Sequence, residues 1–435
     1  MKTTSTDMPF IVIGLGNNEN IKRSVAESQE SAGREEKGAA VECGEDFNLR
    51  WEQGVMHKKN APTRRLLWFV LAVVGFLIFT PLSLLMWMGV RESSANVRLR
   101  ARIAQLQSAA LPHDNASLAV YYARDTTLRN VDQWMKVLEI AGSSDFQVAS
   151  EDVGPWNAMA ERVPHADQPW PDEAKVVAFM ESSAALRQQA RELALQDQSV
   201  RLPIEFQSFD TNLQLTQNLR QIARLLQLEA QVAIRERDAD ATRDAILAIF
   251  GCARAIEGQP LMVSQLVGTA IEAVATDELR CALEQDVLDM SGLKLVLARI
   301  ENRPSLLSVW TKTMNGERGG SLPLFTDDRP YLSDTELELA YALPWRSRDA
   351  LAYLAWVDQA LALPTNDLTE FHAGAIEMER LIGQKLATSN AFEKFDTILS
   401  SLSVPAISAA GSIFVRREML ARLAVLGIGV RLYEF

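Results

Sequence analysis

An apolar run at residues 66–90 constrains this chain more than any other feature. It reads LLWFVLAVVGFLIFTPLSLLMWMGV and contains no ionisable side chain. A helix rises about 1.5 Å per residue, so this run is long enough to cross a hydrocarbon core about 30 Å thick. Trp68 and Trp87 lie near its two ends, where indole rings favour the lipid headgroup region. The run therefore predicts a single transmembrane helix.

The residues beside the run indicate its orientation and its fate. Arg64 and Arg65 adjoin the run directly, whereas Arg91 on the other side is followed by Glu92. This asymmetry favours a cytoplasmic N-terminus and an extracytoplasmic C-terminal domain. Cleavage as a signal peptide after Ala95 is an alternative, but the run exceeds the about 7–15 residues of a signal-peptide core. We expect an uncleaved signal-anchor.

Residues 1–65 are polar and mix acidic and basic side chains without apolar periodicity. Such a segment buries too little apolar surface to offset the entropy lost on ordering, so we predict a disordered tail. Read from Met56, the sequence MHKKNAPTRRLLWFV has the basic and then apolar order of a normal N-terminus. A mis-assigned start of translation, with residues 1–55 untranslated, is therefore a hypothesis.

Residues 92–435 repeat apolar side chains at steps of three and four, the spacing of amphipathic helices. Glycine and proline are scarce, at 22 and 16 of 435 residues, which disfavours turn-rich β folds. We predict an all-α extracytoplasmic domain, either an antiparallel helical bundle or an irregular array of αα-hairpins. Three successive helices, at 215–233, 238–256 and 263–274, should pack as antiparallel neighbours because their connections are short.

Further helices are predicted from the same periodicity, with two long irregular stretches at 142–171 and 317–334. The predicted helices cover residues 95–110, 127–141, 172–196, 292–302, 304–314, 347–363, 366–387, 390–402 and 405–425.

Three segments carry a resemblance to a known family: LPHDNASLAVYY at 111–122, the stretch from NLRQIARLLQLEA to AIEAVATDEL at 218–279, and MLARLAVLGIGVRLY at 419–433. Together they resemble an uncharacterised bacterial family whose members have an N-terminal membrane segment and a helical extracytoplasmic domain. The resemblance rests on helix-pattern residues. It implies the same architecture and brings no activity.

Residues that bind metals or form disulfides show no recognisable motif. In a hairpin turning near Pro260, Cys252 and Cys281 would lie about 20 Å apart along the helix axes, too far for a disulfide. We predict two buried free thiols, with pairing through a helix kink as the alternative. No zinc motif occurs, so we predict no metal and no cofactor, and none of the four histidines lies at metal-ligand spacing from another: His57, His113, His165 and His372.

Two polar segments look like ligand loops but lack the residues such loops need. The pair Asp238 and Asp240 is not followed by the glycine and glutamate of a calcium loop, so we predict that one of them caps a helix. Residues 315–321, NGERGGS, lack the lysine of a phosphate-binding loop. We predict a flexible loop there.

A segment rich in tryptophan and proline is the candidate partner-binding loop. The sequence VPHADQPWPDE at 163–173 contains Pro169, Trp170 and Pro171, and Trp156 precedes it. Prolines restrict the backbone, and tryptophans offer large flat apolar surfaces to a partner. The alternative is a lid that folds onto the helical core.

The charge balance and the missing catalytic motifs narrow the function. Lys plus Arg total 44 and Asp plus Glu 56, a net charge of −12 without a basic stripe, which argues against nucleic-acid binding. We predict a non-catalytic interaction or scaffold protein of the cell envelope, with an unknown envelope protein as its partner. One alternative is an accessory component of an envelope secretion or pilus-like machine. Another is an envelope hydrolase with a site built from four loop acids: Glu151, Asp152, Asp327 and Asp328.

Overall fold

The computed structural model describes residues 62–151, 153–156, 162–208, 211–326, 346–389, 397, 400 and 407–434. The regular structure of these residues is helical, and one isolated parallel bridge joins Thr127 and Val200. The predicted all-α fold class is confirmed. By its internal contacts the chain divides into Met1–Val74 and Gly75–Phe435. Residues 1–61, most of the predicted tail, lie outside the described residues.

The described helices are named here in chain order. They are α1 (Pro62–Ser108), α2 (Asn115–Arg124), α3 (Val131–Ala141), α4 (Ser144–Ser150), α5 (Glu173–Ser182), α6 (Ala184–Ala194), α7 (Gln214–Glu236), α8 (Ala239–Ile256), α9 (Met262–Glu284), α10 (Met290–Glu301), α11 (Leu306–Ser321), α12 (Pro323–Thr326), α13 (Arg346–Leu361), α14 (Leu368–Thr388) and α15 (Ile407–Glu434), with a 3-10 turn at Gly154–Trp156.

Helix α1 joins two predicted elements, 66–90 and 95–110, into one helix. It begins at Pro62, inside the predicted tail, because proline has no N–H to leave unpaired in a first turn. Its C-terminal part buries Ala95, Leu99 and Leu106. The predicted cleavage position after Ala95 thus lies in mid-helix, and cleavage stays an alternative. Earlier in α1, most of the described apolar side chains are exposed, from Trp68 at 71% exposure to Val90 at 62%, whereas Met88 is buried.

A search of the described residues finds no helix with both the length and the hydropathy needed to cross a bilayer. Within the predicted span, the side chains of residues 66, 67, 70, 81, 84 and 85 lie outside that description.

Helices α7, α8 and α9 pack on one another, as their apolar stripes predicted. Asp238 caps α8, since its carboxylate accepts a hydrogen bond from the backbone N–H of Ala241 at 2.9 Å. This confirms the helix-cap prediction. Helix α9 runs further than predicted because its apolar stripe continues through the buried side chains of Ala275, Leu279 and Ala282.

The apolar side chains form two main cores. The larger one takes residues from α3 to α10, and the smaller one takes residues from α1 and α11 to α15. Helix α15 belongs to both cores. Its Phe414 packs in the smaller core, while Ala421, Ala424 and Ile428 pack in the larger core. This helix therefore ties the two cores together.

The predicted flexible loop at 315–321 is wrong, because these residues are the last turns of α11. The glycines place the helix backbone against its neighbours: a Cβ on Gly316 would lie 1.7 Å from the carbonyl oxygen of Pro260, and one on Gly319 would lie 2.6 Å from Pro112. Tertiary packing thus outweighs the low helix propensity of glycine.

Three smaller differences from the predicted helices concern their boundaries. The predicted helix 172–196 is divided into α5 and α6 at Ser183. The predicted irregular stretch 142–171 contains α4 and the 3-10 turn. The predicted helix 390–402 lies outside the described residues except for residues 397 and 400.

Candidate functional site

Trp156 of the predicted partner-binding loop packs inward. Its indole Nε1 donates a hydrogen bond to Oε1 of Gln221 on α7 at 2.7 Å. Its ring meets Phe146 and Phe179 edge-on, with centroid distances of 5.9 and 5.4 Å. The flat apolar surface of Trp156 is thus used within the protein's own larger core.

Trp170 is held by Arg235, also on α7. The Arg235 guanidinium lies 5.2 Å from the centroid of the Trp170 ring, a cation–π distance. The same guanidinium donates hydrogen bonds to the backbone carbonyls of Pro164 at 3.0 Å and Gln168 at 3.2 Å. We call residues 162–171 the Trp-Pro segment.

The Trp-Pro segment therefore has the lid geometry that was its alternative interpretation. Trp156 and Trp170 are half-buried, whereas Pro169 and Pro171 are exposed. Partner binding through this segment stays a prediction. A partner could contact only the exposed side formed by Pro169 and Pro171, because both indole rings already pack against the helical core.

A buried carboxylate fixes the start of the Trp-Pro segment. Arg162 pairs with Asp277 at 2.8 Å and with Glu278, whose side chain is fully buried on α9. Glu278 also accepts hydrogen bonds from the side-chain amides of Gln227 and Gln231, each at 3.0 Å. Burial raises the pKa of Glu278, against the opposing effect of Arg162 and the two glutamines.

The raised pKa predicts how Glu278→Gln will change stability with pH. The folded protein holds this proton more tightly than the unfolded chain, whose value is near 4.5. Wild-type stability therefore falls as pH rises from about 4.5 to the raised folded pKa, and this loss is complete above it. The glutamine variant has no proton to lose. We expect its stability relative to wild type to increase across that window, measured by urea unfolding from pH 4 to pH 8.

Glu377→Gln is the matched control, since Glu377 is exposed on α14 and its hydrogen bond with Arg380 lowers its pKa. Its effect should be small because the pair is solvated, and its sign should be opposite. A stability difference between Glu278→Gln and wild type that stays constant with pH would contradict the assignment.

The acids of the hydrolase alternative are only partly described. Glu151 is exposed just after α4, and Asp152, Asp327 and Asp328 lie outside the described residues. The described part of the chain contains no group of three or more His, Cys, Asp or Glu side chains that could hold a metal ion. The hydrolase alternative stays a prediction.

A shallow concavity lies where α9, α10 and α15 meet. It has no interior space that would admit a water molecule, whereas typical small-molecule pockets measure about 300–1,000 Å³. It is lined by Ala282, Leu283, Asp286, Leu288, Leu293 and Arg431.

Cys252 and Cys281 are separate buried thiols, as predicted. Burial raises the pKa of Cys281 to about 11 and raises the pKa of Cys252 as well. Both therefore remain protonated at neutral pH, and a protonated thiol is a poor nucleophile. We assign them to packing.

The largest ordered apolar surface of α15 faces away from both cores. Five side chains recur at steps of four, three, four and three residues, and all are exposed. We call them the α15 apolar stripe: Met419 (53% exposed), Leu423 (59%), Leu426 (65%), Val430 (61%) and Tyr433 (93%).

The charges on α15 lie at the ends of the stripe. Arg416 and Arg422 are exposed near its start and Glu434 near its end, and residues 423–430 contain no ionisable side chain. Arg422 pairs with Glu418 at 3.2 Å, and Arg431 pairs with Glu434 at 2.8 Å. The centre of the stripe is therefore purely apolar.

An ion pair fixes the position of α15. Arg417 on its buried side donates two hydrogen bonds to Glu272 of α9, both at 2.6 Å. The two side chains are only 7% and 17% exposed. The stripe is consequently presented by a helix whose opposite side is anchored.

Sequence reasoning missed the α15 apolar stripe. The signal is present, because MLARLAVLGIGVRLY has apolar residues at heptad spacing. Apolar residues on the other faces of the same helix obscured it, and only the tertiary structure shows which of these faces is covered. The hydrogen-bonding side chains of α7 were also missed, because only the tertiary structure shows which groups they contact.

Comparison of the chain with protein-family models, with curated proteins and with solved structures gave no match.

Proposed function

We propose that this protein is anchored in a membrane and acts in the cell envelope by binding another protein, without catalysis. The α15 apolar stripe carries the proposal. A helical segment without charged residues on any face is normally buried on all faces, and residues 423–430 of α15 are buried on only one. Ordered apolar surface left in contact with water marks interaction sites in folded proteins.

Residues 66–90 are the proposed anchor, with residues 92–435 on the extracytoplasmic side. Three observations support it: the run has no ionisable side chain, it belongs to one unbroken helix, and most of its described large apolar side chains are exposed, with Met88 buried. At its end, the Arg91 guanidinium lies 4.6 Å from the Trp87 ring centroid, a pairing suited to the headgroup region. The architecture is the one implied by the family resemblance.

Alkaline carbonate extraction tests the anchor. We expect the full-length protein to remain in the membrane pellet and to be released by detergent. The double variant Leu77→Arg/Ile78→Arg should move to the supernatant, because each arginine costs about 3 kcal/mol at a helix centre in the bilayer. Val120→Arg, at a position 60% exposed on α2, is the control and should stay in the pellet. Wild-type protein recovered full-length in the supernatant would contradict the anchor.

Crosslinking in intact cells followed by mass spectrometry tests the interaction. We expect crosslinks from the domain to a specific protein. External protease should degrade residues 92–435 in cells stripped of their outer layers, since these residues would lie on that side. A protein consistently recovered without any partner would contradict the interaction function, whatever the outcome of the carbonate experiment.

A further inference from the structure

We propose that the α15 apolar stripe pairs with the same stripe of a second copy, in an antiparallel arrangement with two-fold symmetry. The inference rests on the proposed function, because it names the partner of the surface that carries that function.

The spacing of the stripe fits a helix better than a lipid surface. Steps of four and three residues, from Met419 to Tyr433, give an average period of about 3.5, the period of helices that pack along a narrow seam. Helices that lie on a bilayer instead present a broad apolar face bordered by basic residues on both sides. Here the flanks of the central part carry no charge between Leu423 and Val430.

Two glycines beside the stripe let a second helix approach. A Cβ placed on Gly429 would meet nothing within 4 Å, and one on Gly427 would meet only a side-chain carbon of Leu283 at 3.4 Å. These positions flank Leu426 and Val430 and leave the surface beside them shallow. Small flanking residues allow two helix backbones to come close.

Helix dipoles, more than side-chain charges, select the direction of pairing. In a parallel pair, each charged residue would lie beside its own counterpart, and like charges in contact are unfavourable. An antiparallel pair centred at Leu426 places Glu434 of one copy opposite position 418 of the other, and each of these glutamates is already paired within its own copy, Glu418 with Arg422 and Glu434 with Arg431. The opposite helix dipoles favour this direction. Such a self-complementary contact is typical of two-fold dimers.

The exposed area is adequate for a reversible dimer. Five side chains with these exposures present apolar surface on the order of 500 Å² in each copy. A pair would bury at most about 1,000 Å², near the lower limit for a specific interface. Two copies anchored in one membrane would meet at a high effective concentration, which strengthens a weak contact.

The dimer is tested on full-length protein in detergent micelles by analytical ultracentrifugation. We expect wild type to dimerise reversibly and Leu423→Glu/Leu426→Glu to raise the dissociation constant at least about 30-fold, since burying two charges in a seam is unfavourable. Val148→Glu, at a position 73% exposed on α4, should dimerise like wild type. Equal melting temperatures, measured by circular dichroism, would show that all three proteins are folded. A monomeric wild type, or a double variant that dimerises normally, overturns the proposal.

A photo-crosslinking residue at position 426 in intact cells separates this inference from the proposed function. An adduct of twice the chain mass supports the dimer. An adduct with a different protein overturns the dimer and leaves the interaction function standing, whereas adducts with lipid alone overturn the dimer and remove the observation on which that function rests.

The direction of pairing is tested by cysteine crosslinking in a Cys43→Ser background. Met419→Cys should crosslink to Tyr433→Cys of a second copy, and crosslinks between two Met419→Cys copies would overturn the antiparallel arrangement.

Discussion

Replacing Trp310 with alanine is expected to lower the free energy of unfolding by about 4 kcal/mol. The Trp310 side chain is fully buried at the centre of the smaller core. Its ring meets Phe371 and Phe414 edge-on, with centroid distances of 5.0 and 5.7 Å. Its Nε1 donates a hydrogen bond to the carbonyl of Ala360 at 2.7 Å, so truncation also leaves a buried acceptor unpaired.

Urea unfolding of the full-length protein in detergent, followed by circular dichroism, measures this loss. Trp310→Phe keeps most of the ring contact and loses the hydrogen bond, so we expect a smaller loss of about 1–2 kcal/mol. Leu307→Ala is the surface control on the same helix, at a position 54% exposed, and should change stability by less than about 0.5 kcal/mol. Equal losses for Trp310→Ala and Leu307→Ala would show that Trp310 does not organise the smaller core.

Gly316→Ala is expected to destabilise the protein by about 2–3 kcal/mol, although alanine is the better helix former. The added Cβ would lie 1.7 Å from the carbonyl oxygen and 2.5 Å from the carbonyl carbon of Pro260. Both are backbone atoms two residues before α9, and they cannot rotate away as a flexible side chain could. Relief requires α11 to move away from α9.

Gly383→Ala provides the matched control, since it is the same substitution in another helix. A Cβ on Gly383 of α14 would meet nothing within 4 Å. Alanine should therefore stabilise the protein by about 0.5–1 kcal/mol, through helix propensity and a less flexible unfolded chain. The two substitutions should thus shift the urea midpoint in opposite directions. A neutral or stabilising Gly316→Ala would contradict the close approach of α11 to Pro260.

Local sequence patterns were sufficient to predict the helices that contribute most of the larger core. The stripe from Leu215 to Ala233 and the cap at Asp238 predicted α7 and the start of α8 within a few residues. Both signals are local, since the stripe lies within one helix and the cap acts within one helical turn. An apolar stripe or a capping carboxylate acts the same way in any chain, so the sequence alone is enough to read it.

The features that the sequence did not predict depend on contacts between elements that are distant along the chain. Residues 315–321 have the composition of a loop, and they are helical because Gly316 and Gly319 fit against Pro260 and Pro112. Arg235 reads as a solvated charge, yet it holds Trp170 and three backbone carbonyls. The exposure of Leu426 is likewise a property of the assembled fold. None of these contacts has a signature in the residues next to it.

The Arg417–Glu272 pair has a consequence for how α15 can move. A slip by one residue would rotate the guanidinium by about 100° about the helix axis and remove both hydrogen bonds, leaving two charges without compensation in a dry environment. This buried ion pair therefore resists sliding or rolling of the helix. The exposed side chains of α15 therefore keep a fixed direction relative to the rest of the domain. A partner that binds them meets one orientation of the helix and does not have to select it from several.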